Sequence, residues 1–140
     1  MGGMTALNYL VRGKRKATAC ALNCPVTDLN RIYDDRRDFR RAMLSAHIEK
    51  EGALEDALDS YSPVCFAERL PNIPYFAVYG EADVYFAQTQ MPSLAEQMKK
   101  HGLEHTLVLV KEMEHCDLAR HPNVYRQYCD FIINAANQKE

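Results

Sequence analysis

Two residues in this sequence, Asp83 and His115, are placed to do proton chemistry together. Asp83 follows Gly80 by three residues, at the close of the short apolar and aromatic run Tyr75 to Tyr79. His115 follows the second strong strand pattern, Thr106 to Val110. Unbroken apolar runs of this kind fit strands covered on both faces. In open parallel sheets, the crevice beyond the carboxyl ends of such strands is where ligands bind. An acid delivered there by a strand–Gly–x–x–Asp turn can orient an imidazole, fixing its tautomer. A histidine held in that way is a general base.

Other candidate groups carry less. His101-Gly102-Leu103-Glu104-His105 matches H-x-x-E-H, a zinc-protease pattern that needs both histidines on one face of a continuous helix. Gly102 breaks the helix, and a β-run starts directly after His105, so no metal site is expected. His115, Cys116 and His121 lack an evident fourth ligand. Cys20 and Cys24, four apart around a strand end, read as buried small hydrophobes rather than a redox pair. Ser45 lies in a charged helix and Ser62 caps one, so neither is placed as a nucleophile. Asp117 is a local alternative to Asp83 as partner of His115, and His47 reads as a surface residue.

The elements that would position the pair follow from pattern and punctuation. Leu7, Leu10 and Val11 fall at helical spacing and predict a short helix that stops at Gly13. Lys14-Arg15-Lys16 is a solvated basic loop. Ala17 to Leu22, small and apolar, predicts a buried strand closed by Asn23-Cys24-Pro25. From Asp28 to Ser60 the charges alternate in sign over a thin apolar side of Ile32, Phe39, Met43 and Leu44, interrupted at Gly52. Positions 26–61 therefore read as a helical, lid-like insertion lying over the sheet. Ser62-Pro63 predicts a capped helix start, and Pro74 opens the strand that ends at Gly80. After Asp83 a loop is expected, then a helix from about Pro92 to Lys100 ending at Gly102. Thr106 to Val110 is the third strand. A final helix after Pro122 carries Val124, Tyr125, Tyr128, Phe131 and Ile132 along one side. Alternation of helix and strand predicts an α/β fold with a parallel sheet.

Composition narrows the class. At 140 residues, 47% hydrophobic, 26% charged and net charge −2, the chain reads as a single α/β domain. The near-neutral charge offers nothing to nucleic acid or an acidic lipid surface, and no apolar run is long enough for a membrane helix. No signal-peptide pattern opens the chain. Five cysteines without a framework spacing predict free thiols in a reducing, cytoplasmic setting.

The stretch from Ser62 to His115 resembles the C-terminal half of an α/β-hydrolase, most of all the prolyl oligopeptidase-like peptidase and esterase branch. The features that carry the likeness are Ser62-Pro63 before a helix and Pro74 into a strand. Gly80-Glu81-Ala82-Asp83, a helix ending Lys99-Lys100-His101-Gly102, and a further strand with a loop bearing His115 complete it. The valine-proline pair that usually follows the acid is replaced by Val84-Tyr85-Phe86. The resemblance implies a Ser-Asp-His triad in which Asp83 is the acid and His115 the base. It also implies that Met1-Gly2-Gly3-Met4 continues a nucleophile elbow, Gly-x-Ser-x-Gly, whose serine would precede Met1. On that alignment Met1 gives the oxyanion-hole N–H, while Gly2 and Gly3 are elbow glycines.

The fold expected is thus a partial α/β-hydrolase of about three parallel strands flanked by helices, with the charged helical insertion. The function expected is the C-terminal part of a serine hydrolase, esterase or peptidase. It would act on a small ester or peptide substrate without a cofactor, be inactive as written, and pair with an N-terminal half or with itself. The alternative is a non-catalytic α/β module that pairs with another chain through its open sheet edge.

Overall fold

The computed structural model of the chain describes residues 2–47 and 52–137. Helix α1 spans Gly2–Arg12, and strand β1, Cys20–Asn23, follows the basic loop. The charged segment after β1 holds α2 (Leu29–Asp35), α3 (Arg37–His47) and α4 (Leu54–Tyr61), and a 3₁₀ segment Pro63–Arg69 leads to β2 (Tyr75–Gly80). Then come α5 (Met91–Lys100), β3 (His105–Val110) and α6 (Pro122–Asn137).

The three strands form one parallel sheet in the order β1-β2-β3. The register pairs Asn23 with Val78 and Gly80 with Val110, so all three strands end at the same side of the molecule. β2 is central, and each of its six residues is buried. This is the reason its sequence is apolar without alternation. Tyr75, Ala77 and Tyr79 face a core built with Leu7 of α1, Ile32 of α2 and Leu94 and Met98 of α5. Phe76 and Val78 face the other layer, where Val124, Tyr128 and Phe131 of α6 pack. Burying such a side chain stabilises the fold by roughly 1.5–3 kcal/mol each, so β2 is the thermodynamic spine of the sheet. On α6, Tyr125 and Ile132 are exposed, so the expected apolar side is narrower than its sequence suggested.

Three local expectations are corrected. β1 starts at Cys20, not Ala17, because pairing with β2 begins only at Tyr75. Ser62 does not cap the helix that follows it; its buried hydroxyl instead accepts from the Leu29 N–H at 2.9 Å. The expected loop after Asp83 is helical. A π-helical turn, Phe86–Gln90, runs straight into α5. Pro92 lacks the N–H that a continuing α-helix would use, and the wider turn absorbs the mismatch. The Met91 N–H donates to the Phe86 carbonyl five residues back, the signature of that wider turn.

The insertion is tied to this turn. Gln90 is fully buried, and its Oε1 accepts from the backbone N–H groups of Thr27 and Asp28 at 2.9 and 2.8 Å. The Thr27 hydroxyl donates back to the Gln90 carbonyl at 3.0 Å. Helix α2 is capped by Asp28, whose carboxylate accepts from the Arg31 N–H. No helix among the described residues is long and apolar enough to cross a membrane.

Candidate active site

The loops after β2 and β3 are locked to each other before either side chain is considered. The Glu81 N–H donates to the Val110 carbonyl, and the Ala82 N–H to the Met113 carbonyl. Gly80 lies directly beneath that loop: a Cβ there would come within 2.0 Å of the Met113 carbonyl oxygen. Only glycine allows so close an approach. The Asp83 N–H then donates to the Gly80 carbonyl, and the Asp83 carbonyl accepts from Ala87, starting the next helical turn. Asp83 is therefore held from both sides. On the other loop, Glu112 and Cys116 take left-handed conformations, with φ of 60° in both, and between them the chain turns His115 toward Asp83.

The two side chains meet. His115 Nδ1 lies 2.5 Å from Asp83 Oδ2. The Asp83 side chain is only 11% exposed, whereas that of His115 is 46% exposed. With the carboxylate as acceptor, Nδ1 donates, and the lone pair of the neutral ring resides on Nε2. Phe86 packs its ring against the imidazole at a centroid distance of 4.5 Å, which limits rotation of the ring about its own bonds. Asp117 does not compete for the histidine; it pairs with Arg120 at 3.4 Å.

His115 and Phe86 open on an apolar cavity of about 60 Å³, also lined by Met4, Val26, Phe39 and Met43. Met4 brings the first turn of α1 to the histidine. Gly3 is in that turn, pressed on Pro25 so that an added Cβ would meet it at 2.6 Å; Gly2 has open space around it. Met1 lies outside the described residues. A larger apolar cavity of about 270 Å³ lies between α3 and α4, and it shares Leu29 and Met43 with the first.

Of the serine hydroxyls, those of Ser60, Ser62 and Ser93 are engaged. Ser62 accepts from Leu29, Ser93 donates to the Thr89 carbonyl, and Ser60 accepts from Arg12. Ser45 is exposed on α3. The thiols near His115 are poorly suited to act as nucleophiles. Burial pushes the Cys24 thiol up to about 11, and loss of hydration also raises that of Cys116. A catalytic thiol requires the opposite shift. His105, one half of the H-x-x-E-H pattern, starts β3 and bonds the Leu103 carbonyl, with Gly102 left-handed between it and His101.

Three features were not foreseen from the sequence. Phe86 reads in the sequence as a loop residue, and its contact with His115 depends on the helical turn that Pro92 disguises. Gln90 carried no signal beyond being a polar residue near a helix start. Cys24 reads in the sequence only as a small core hydrophobe, yet its sulfur accepts from the Cys116 N–H at 3.3 Å. That contact spans 92 residues and follows from the two strand ends lying side by side.

None of the protein-family models matches this sequence, and none of the curated proteins matches it significantly. Solved structures do. Esterase B from Lactobacillus rhamnosis is similar to it with a TM-score of 0.71 at 14% identity, over 97% of this chain and 50% of that one. A thermophilic esterase from the Planctomycetes species Thermogutta terrifontis is similar with a TM-score of 0.64 at 21% identity, over 95% of this chain and 50% of its own. The chain thus spans about half the length of these esterases. Its fold is that of part of an α/β-hydrolase: three parallel strands flanked by helices.

Proposed function

We propose that this chain is the C-terminal part of a serine hydrolase, in which Asp83 holds His115 and His115 activates a serine outside these 140 residues. The observation that carries the reading is the 2.5 Å bond between His115 Nδ1 and Asp83 Oδ2 at the carboxyl end of the sheet. In the reaction, Nε2 takes the proton of the serine hydroxyl as it attacks the acyl carbon, then passes it to the leaving group. Asp83 keeps the ring in the required tautomer and stabilises the imidazolium. The serine precedes Met1, the Met1 N–H is assigned to the oxyanion hole, and Gly2 and Gly3 belong to the elbow. The open edge of β1 is the seam along which an N-terminal half would pair.

Esters are the favoured substrate class. The similar structures are esterases by name, and the cavity beside His115 is apolar, which suits an acyl chain better than a polar peptide backbone. Peptide bonds, as in the prolyl oligopeptidase branch, would be cut by the same triad.

The test is labelling with a fluorophosphonate. The 140-residue chain is expected to stay unlabelled, while a chain extended upstream through a Gly-x-Ser is expected to label there. In the extended chain, Asp83→Asn should lower kcat by roughly 10⁴-fold and His115→Ala by roughly 10⁴–10⁶-fold. Labelling of the 140-residue chain that His115→Ala abolishes would place the nucleophile inside it. Full activity of either variant removes that residue from the triad.

A further inference from the structure

Cys24 and the adjacent pair His115-Cys116 arrive at one place from the ends of β1 and β3. Their ligand atoms, two sulfurs and a ring nitrogen, all lie within 4.8 Å of one another. We propose that Cys24, Cys116 and Nε2 of His115 form a binding site for a thiophilic divalent cation, zinc by its chemistry. Two sulfurs and an imidazole are a donor set that favours zinc over magnesium or calcium. A tetrahedral zinc with about 2.3 Å bonds to sulfur and about 2.0 Å to nitrogen needs ligand atoms roughly 3.5–3.8 Å apart. The three groups must therefore draw closer together than the 4.8 Å within which their ligand atoms lie. Cys24 is buried, whereas His115 and Cys116 are exposed, which leaves the cation a path from solvent.

Two further observations point to a ligand here. Asn23 gives its amide N–H to the Cys116 carbonyl, yet its Oδ1 is buried and meets no donor among the described residues. An orphaned acceptor of this kind is costly. Three protein ligands leave the fourth tetrahedral position to water, and such a water supplies the missing donor. The second observation is Asp83. A histidine that ligates zinc ordinarily gives its other ring N–H to a carboxylate, which orients the ring and raises its basicity. Here Nδ1 is already so engaged. Both cysteines also hold left-handed backbones, with φ of 43° at Cys24 and 60° at Cys116, conformations concentrated at functional sites. On the hydrolase reading, a cation on Nε2 takes the lone pair that the general base needs. Metal-bound and hydrolytic states then exclude each other.

The test is a titration of the reduced 140-residue chain with Co²⁺, followed by displacement with Zn²⁺. It requires no nucleophile, so it stands or falls separately from the hydrolase reading. A sulfur-to-cobalt charge-transfer band is expected to saturate at a single cobalt per chain and to bleach with zinc. Cys24→Ser and Cys116→Ser should each remove most of the band, and Asp83→Asn should weaken binding roughly 10–100-fold while keeping it. Cys65→Ser and Cys129→Ser should leave the titration unchanged. Since Cys24 is buried, the exposed Cys116→Ser is the deciding variant, with its fold checked by circular dichroism. Absence of a sulfur band, or a band that survives Cys116→Ser, overturns the proposal.

Discussion

Gly80 and Met113 touch backbone to backbone across the ends of β2 and β3. A Cβ on residue 80 would lie 2.0 Å from the Met113 carbonyl oxygen and 2.9 Å from that of Glu114. Both obstacles are main chain, so neither can swing aside. Gly80→Ala must therefore push the 113–115 loop outward, lengthening the Asp83–His115 bond. Overpacking of this kind costs about 1–3 kcal/mol. Urea denaturation of the 140-residue chain should show that loss, and the His115 ring resonances should move toward those of a free imidazole. Unchanged stability together with unchanged ring resonances would show that the contact does not set the site.

Gln90 is one of the side chains that tie the start of the charged helical segment to the rest of the fold. Gln90 Oε1 satisfies the N–H groups of Thr27 and Asp28 in the interior. Gln90→Leu keeps the volume but leaves both donors unpaired. At about 1–3 kcal/mol for each buried orphan, the expected destabilisation is roughly 2–6 kcal/mol. Protection of the 27–28 amides from hydrogen exchange should fall in the same variant. A loss under about 1 kcal/mol would mean that water replaces the amide.

How much of this was legible depended on whether a residue's neighbours in sequence or in space decided its state. β2 could be read directly, since burial on both faces erases alternation in Tyr75 to Tyr79. Asp83 and His115 could be paired because strand ends in a parallel sheet converge whatever the intervening helices do. The turn after Asp83 could not be read. Pro92 ordinarily marks a helix start, and only the preceding π-helical turn lets it lie inside one. Ser62 failed as a cap for a related reason: its hydroxyl had a partner 33 residues away, Leu29, that no local pattern announces. The approach of Cys24 to Cys116 likewise depends on register, which hydrophobic periodicity leaves open.

Cys65 offers a test of local electrostatics away from the site. The residue is exposed overall, but its sulfur lies 3.6 Å from Asp59 Oδ1. Loss of hydration around the sulfur, then the Asp59 charge, push its thiol up to about 11. The raised value means a neutral, slow thiol at pH 8. Allowing for the greater intrinsic nucleophilicity of a more basic thiolate, alkylation by iodoacetamide should be about tenfold slower than for an unperturbed exposed cysteine. The rate should climb steadily as pH rises toward 11. Asp59→Asn should speed the reaction at pH 8; no change there would remove Asp59 from the account.

Leu29 and Met43 line both the small cavity at His115 and the larger one between α3 and α4. On the proposed hydrolase reading, an acyl chain entering beside Phe86 and His115 lies in the cavity that Met43 lines. Each methylene it buries contributes about 0.8 kcal/mol, so two methylenes discriminate butanoate from acetate by roughly tenfold. In an active, extended chain, Met43→Ala should join the cavities and raise kcat/KM for longer acyl esters relative to acetate. Met43→Trp should close the passage and remove the butanoate preference while leaving acetate turnover within about twofold, since Asp83 and His115 bond each other without it. If both variants shift acetate and butanoate turnover equally, the acyl chain takes another path, and the insertion does not form its pocket.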